Sequence, residues 1–259
     1  MNQFYPFSSE SVSAGHPDKV CDQISDAILS ECLLQDPASR VAIEASIKDH
    51  TLFLFGEITT RARINSPKIA KDILVRIGYD DPAWGLSIER LQIVEAISMQ
   101  SAEIAFGVDG DVIGAGDQGI MFGYACNETP EMMPLPIMLA HRLMRAHHNW
   151  RRSEAASQLG PDAKAQVTVL YENDRPREVT DVVLSTQHCR SLGLGAVREL
   201  VDEALIKPVL SDLWHPNVRL HINPAGTFHK GGPAVDAGLT GRKIIVDTYG
   251  GSAALRDYL

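Results

Sequence analysis

No window of the 259-residue sequence approaches the roughly eighteen continuous apolar residues of a membrane-spanning helix, which argues against a membrane protein. The first residues, Met1-Asn2-Gln3-Phe4-Tyr5, lack the basic region, apolar stretch and cleavage site of a secretion signal. Positive charge is also short. The 24 Lys and Arg face 33 Asp and Glu, a net charge of −9, so nucleic acid is not an expected partner. Any phosphate the chain holds must meet a locally basic pocket. Cysteine is sparse: Cys21, Cys32, Cys126 and Cys189 form no CxxC pair and no ladder of short loops. That spacing speaks against a disulfide framework and against structural zinc, and a reducing cytoplasm is the expected home. Neither the phosphate loop GxxxxGK[ST] nor a GxGxxG in strand–helix context is found. What is present is 44% hydrophobic and 22% charged residues, enough for one large domain or two ordinary ones.

The pattern along the chain predicts a repeated plan. Pro17 opens a helix in which Val20, Ile24, Ile28 and Leu34 recur at helical spacing up to Asp36-Pro37. Strand alternation follows at Val41, Ile43, Ala45 and Ile47, and Lys48-Asp49-His50 turns the chain into a second strand, Thr51 to Thr60. A helix capped by Ser66, with Pro67 next, runs to Gly78, and a strand is expected at Leu91–Ile97. A second cycle predicts a helix from Ile137 to Trp150, strands at Ala165–Tyr171 and Val179–Thr186, and a helix from Leu194 to Ile206. These cycles predict an α+β fold of two related units, each a sheet with helices packed on one face. A third set of elements would begin with a strand at Lys243–Asp247.

Chemistry concentrates in irregular, glycine- and charge-rich stretches. Residues 107–119 hold five glycines in thirteen positions, with Asp109, Asp111 and Asp117 among them, and read as a mobile or ligand-wrapping loop. His16 and Asp18 flank Pro17 at a helix start. Either His16 donates to a developing negative charge and Asp18 supplies a hard oxygen for Mg²⁺, or His16 is a cap and Asp18 favours the helix N-terminus. Asp18, Asp22 and Asp26 form a carboxylate row that is unfavourable unless it is wet or met by cations. Lys164 and Arg242-Lys243 sit beside irregular backbone, as triphosphate contacts or as solvated strand ends. Glu44 and Glu57 interrupt apolar alternation, facing either solvent or a ligand. The cluster Arg142, Arg145, His147, His148, Arg151 and Arg152 reads as a solvated helix face.

Together these segments closely resemble the S-adenosylmethionine synthetase (methionine adenosyltransferase) family. The resemblance is carried by Ser11-Val12-Ser13-Ala14-Gly15-His16-Pro17-Asp18-Lys19, Gly56-Glu57-Ile58-Thr59-Thr60 and Gly114-Ala115-Gly116-Asp117-Gln118-Gly119. It continues through Asp162-Ala163-Lys164, Val183-Leu184-Ser185-Thr186-Gln187-His188, Ile222-Asn223-Pro224 and Gly238-Leu239-Thr240-Gly241-Arg242-Lys243 to about Gly251. The resemblance implies pseudo-repeated α+β domains, divided here as 1–101, a gating loop and linker at 102–125, a central domain at 126–230 and the start of a third at 231–259. It implies transfer of the adenosyl group of ATP to methionine, with hydrolysis of the released triphosphate to phosphate and diphosphate.

By the same resemblance His16, Lys164, Arg242 and Lys243 are catalytic, the last three as phosphate-binding groups. Asp18 is implied as a ligand of Mg²⁺, of which the family uses two per site, and Glu44 as a ligand of K⁺. Glu57 and Gln100 are implied at methionine, Asp162 and Asp236 around nucleoside and methionine, and Asp117 within the gate. The implied assembly is a cytoplasmic homodimer or homotetramer with sites at the subunit interface, touching neither nucleic acid nor membrane. After Gly251 the residues Ser252 to Leu259 depart from the family pattern, so most of a third domain is expected to be missing. The chain is then an active synthetase, an inactive shortened homologue that binds or regulates a full-length partner, or the product of a frameshifted gene.

Overall fold

A computed structural model describes residues 3–99, 119–153 and 158–252. The N-terminal strand β1 (Phe4–Val12) leads through a tight loop into helix α1 (Pro17–Gln35). Strands β2 (Arg40–Lys48) and β3 (Thr51–Thr59) form an antiparallel hairpin, followed by α2 (Ser66–Ile77) and by β4 (Gln92–Ser98), which lies parallel to β3. Alternation decides which face of this hairpin is covered. Ile43, Ala45, Ile47, Leu52 and Leu54 point into a core with Val20, Ile24 and Ile28 of α1 and Ile73 and Leu74 of α2. Full burial of each such aliphatic side chain contributes about 1.5–3 kcal/mol. The opposite face carries Glu44, Phe53, Phe55 and Glu57, with no helix of the described residues packed on it.

The second unit contains α3 (Leu135–Arg151), the long hairpin β5 (Leu159–Glu172) and β6 (Arg175–His188), then α4 (Leu194–Val201). A π turn at Asp202–Ile206 joins α4 to a short α5 (Lys207–Leu210), and β7 (Arg219–Ile222) completes the sheet. Leu139, Leu143, Val167, Val169, Val182, Val197 and Val201 build its core. The α+β plan of two sheets, each with helices on one face, is therefore present. No helix of the described residues is long and apolar enough to cross a membrane, and all four cysteines are free.

Four local expectations are corrected. Residues Phe4–Val12, to which the sequence pattern assigned no strand, form a strand that leaves its own helical unit and pairs antiparallel with β5, giving the order β1-β5-β6-β7. Asn65, not Ser66, caps α2, because its side-chain oxygen accepts the Lys68 N–H at 3.0 Å. Lys243–Asp247 is not a strand. Its backbone closes on itself, with Asp247 N donating to Lys243 O at 2.9 Å, and Ile244 and Ile245 are exposed. The strand of this region is instead β8 (Gly238–Leu239), on the edge of the order β4-β3-β2-β8. Lastly, the basic cluster of α3 is not simply a solvated face. His147 is fully buried against Thr186, and Arg151 donates to Leu159 O at 3.1 Å and Ile77 O at 3.2 Å, tying the two units together.

Candidate active site

Three segments meet where β1 enters α1, and the stretch around Lys164, read from sequence as irregular, is the first part of β5. Ser13 joins the first two: its backbone N–H donates to Ala163 O at 2.8 Å, and its hydroxyl donates to Pro161 O at 2.7 Å while accepting from Ala163 N. Gly15 packs so closely on Pro161 that an added Cβ would lie 2.3 Å from its carbonyl oxygen. The third segment, residues 231–243, closes over both. Gly232 N donates to Asp162 Oδ2 at 2.7 Å, Leu239 N to Asp18 Oδ1 at 3.0 Å, and Gly241 N to Asp22 Oδ1 at 2.8 Å.

His16 occupies the N-cap position of α1, and its Nδ1 accepts the Asp18 N–H at 3.2 Å. An accepting Nδ1 leaves the proton of the neutral ring on Nε2. Burial, reinforced by the charge of Lys243 and opposed by Asp18 and Asp236, brings the imidazole down to about 4, so it is neutral at physiological pH. A neutral imidazole with Nε2–H is a donor suited to a developing oxyanion. The cap reading and the donor reading of His16 are thus compatible.

Asp18 is buried, and both its oxygens are engaged by cations. Lys243 donates to Oδ2, and Arg242 Nε lies 3.7 Å from Oδ1. Burial pushes its carboxyl upward, but the bonds from Lys243 and Leu239 N and the charge of Arg242 more than offset this, leaving it below its ordinary value. Asp22 pairs with Lys19 at 3.0 Å, and Lys19 reaches Asp247 at 2.7 Å, so cations do meet this row of acids. Asp162 is buried beside Asp236; desolvation raises it to about 6 despite the bond from Gly232 N. Lys164, half-exposed on β5, pairs with Glu10 at 2.5 Å and contributes to the field at His16.

The structure therefore brings His16, Asp18, Lys164, Asp236, Arg242 and Lys243 into one electrostatic neighbourhood, with Asp162 adjoining. It does not bring Glu44 and Glu57 there. Both stand exposed on the face of β2 and β3 turned away from α1, Glu44 opposite Phe55 and Glu57 opposite Ala42. Gln100 and Asp117, with the glycine-rich stretch up to Gln118, lie outside the described residues.

Three family models match this chain in succession: S-adenosylmethionine synthetase, N-terminal domain, over residues 4–102; the central domain over 112–228; and the C-terminal domain over 230–256. The chain belongs to the S-adenosylmethionine synthetase family. The family segments that converge here are Ser13–Lys19, Asp162–Lys164 at the start of β5, and Gly231–Lys243.

For a divalent cation, the donor set of this synthetase chain is small. Among the described residues no group of three His, Cys, Asp or Glu side chains is gathered for a metal. Asp18 fits the usual Mg²⁺ arrangement, in which one or two carboxylates share the ion with substrate phosphates, and the Lys243 ammonium marks a place where positive charge is wanted. Glu44 stands exposed on β2, away from His16 and Asp18.

Two further residues were given no role by the sequence reading, Tyr79 and, though quoted within the resemblance, Gln187. Tyr79 is fully buried and donates its hydroxyl to Gly15 O at 2.5 Å. Gln187, also fully buried, donates to Trp84 O at 3.1 Å and His229 O at 3.2 Å. The only local signal for Tyr79 was a hydroxyl-bearing aromatic directly after the Gly78 helix end.

Proposed function

We propose that this chain is a methionine adenosyltransferase, making S-adenosylmethionine from ATP and methionine and hydrolysing the triphosphate to phosphate and diphosphate. The observation that supports it most is the gathering of Lys164, Arg242 and Lys243 around a neutral His16 in a chain of net charge −9. Each of these cations is paired with Asp18 or Glu10, so a polyanion would bind there by competing with those carboxylates.

A thioether sulfur carries no proton, so the reaction needs no general base. A sulfur lone pair forms the bond to C5′, the C5′–O5′ bond breaks, and its electron pair leaves on the triphosphate. The barrier is lowered by holding both substrates in line and by stabilising the departing charge. In this reading His16 Nε2–H donates to the leaving oxygen, and Lys164, Arg242 and Lys243 bind the phosphates. Asp162 and Asp236 lie around nucleoside and methionine. Asp18 would hold Mg²⁺, which when bound supplies charge neutralisation to the phosphate chain.

Glu57, with Gln100, is assigned to methionine, and Asp117 to the gate. The position of Glu57 on an open sheet face supports a site completed across a subunit boundary. Phe53 and Phe55 stack on that face at 5.1 Å, and Val94 is exposed beside them, an apolar surface suited to a second copy of the chain. In this reading Glu44 gives a carboxylate oxygen to K⁺.

The test is direct. The purified chain is incubated with ATP, methionine, Mg²⁺ and K⁺, and S-adenosylmethionine is followed by mass detection against a His16→Ala control. Product above the control supports the proposal; equal signals overturn it in favour of a non-catalytic partner of a complete synthetase.

A further inference from the structure

Tyr79 is reached from α2, an element that carries none of the residues assigned to substrate. Gly78 ends that helix, and the Tyr79 N–H turns back to Leu74 O at 3.0 Å, which fixes where the side chain leaves the backbone. The ring enters the junction of the three site segments. Its hydroxyl donates to Gly15 O at 2.5 Å. On the other side of the same peptide, His16 N–H donates to Ser13 O at 3.1 Å. The Gly15–His16 peptide plane is thus held at both its polar atoms.

The third segment is shaped to admit this hydroxyl. Gly232 has φ +60° and lies so near that an added Cβ would be 1.9 Å from the Tyr79 oxygen. The N–H of that glycine donates to Asp162, and the Asp236 N–H donates to Gly232 O at 3.2 Å. One phenol is therefore in contact with the peptide before His16 and with the glycine that sets Asp162 and Asp236. Burial, reinforced by Asp162, raises Tyr79 well above its ordinary value, so the hydroxyl remains a donor.

We infer that Tyr79 is a positioning residue of this site, clamping the Gly15–His16 peptide and through it the His16 imidazole in one orientation. What His16 then does rests on the synthetase reading above; the clamp does not. Because His16 is the cap of α1, its backbone has φ −62° and ψ 135°, and rotation of the preceding peptide would swing the ring off the helix end. Misplacing a catalytic donor by about 1 Å can cost on the order of a hundredfold in rate.

Tyr79→Phe keeps the buried ring and removes only the donor. In steady-state assays of the full chain, kcat is expected to fall about ten- to a hundredfold, with KM for ATP and for methionine changed by less than about threefold. Melting curves report the folded fraction of each preparation. A variant whose kcat per folded molecule equals that of the wild type overturns the proposal, because a merely structural tyrosine would shift only the melt. If the wild-type chain itself makes no product, that failure belongs to the synthetase reading, and amide hydrogen exchange then reads the clamp. Exchange of the His16 N–H in Tyr79→Phe should be at least tenfold faster, confined to residues 13–18, and unchanged exchange there overturns the inference.

Discussion

Lys243 sets its ammonium against Asp18, a carboxylate only 1% exposed in the first turn of α1. The pair spans 225 positions of sequence and pins the segment after β8 onto the helix that carries His16. Leu239 N and Arg242 share the same carboxylate, so four groups from two segments form one unit. A phosphate chain entering this site would compete with Asp18 for Lys243 and Arg242.

That unit should show strong coupling. Asp18→Ala leaves the Lys243 ammonium without its acceptor and is expected to destabilise the chain by about 3 kcal/mol. Adding Lys243→Met removes the unpaired charge and should recover part of the loss. Urea unfolding of both single variants and the double variant measures the coupling; strict additivity would count against it. Asp18 sits below its ordinary value of 3.8 in the folded state, so the contribution is complete at neutral pH and is lost in acid as pH falls through the folded-state value.

Asp162 behaves in the opposite sense. Its folded-state value is raised from 3.8 to about 6, so between those limits the folded chain binds more protons than the unfolded one. Stability then falls as pH rises through this window, by up to about 3 kcal/mol from this group. Asp162→Asn keeps an oxygen for the Gly232 N–H and removes the ionisation. Its melting temperature relative to wild type should rise between pH 4 and pH 7; a constant difference across that range would refute the assignment.

How much of this could be read from the residues depended on where each one's partners lie in sequence. Helix α1 and the β2–β3 hairpin were legible because Val20, Ile24 and Ile28, and Ile43, Ala45 and Ile47, bury one face at a regular period. Strand β1 was not, because its inward positions include serines. Ser9 is buried by bonding to Gly250 O, and Ser11 by bonding to His141, which hides the apolar alternation of a strand. Ile244-Ile245-Val246 carries strand propensity, yet Arg242 and Lys243 are tied to Asp18 and the following backbone closes on itself. Within the site, the charged residues stood out beside glycine and proline in the sequence. The link from Tyr79 to Gly15, 64 positions apart, existed only after packing.

His147 gives a third pH signature. The Thr186 hydroxyl donates to Gln187 O at 3.2 Å and so accepts from His147 Nε2 at 2.8 Å, while Nδ1 is buried with no partner among the described residues. Protonating Nδ1 would bury an unpaired charge, and burial, with Arg151 and His148 adding to it, lowers the ring to about 3. Between that value and 6.5 the unfolded chain binds the extra proton, so stability is lost as pH falls, at about 1.4 kcal/mol per pH unit. The stability of His147→Gln relative to wild type, from urea unfolding, should rise as pH falls from 6.5 to 4; a constant difference would assign the proton elsewhere.

Arg151 is one of the ties between the two units. Its Nε and Nη1 donate to carbonyls of different units, Leu159 and Ile77, from a half-buried position where burial lowers the guanidinium to about 10, still charged at neutral pH. A lysine carries the same charge but no planar fork, so it cannot satisfy both carbonyls in this geometry. Arg151→Lys should cost about 1–3 kcal/mol by leaving one buried carbonyl unpaired. The loss should be local as well as global. Ile77 precedes the Gly78-Tyr79 turn, and Leu159 precedes Gly160-Pro161-Asp162, so both partners adjoin the segments that Tyr79 joins. Hydrogen exchange in Arg151→Lys is expected to quicken at residues 77–79 and 159–163 before it does so in α1 or β2. If exchange instead rises evenly across both cores, Arg151 contributes only to global stability and not to the local order of those segments.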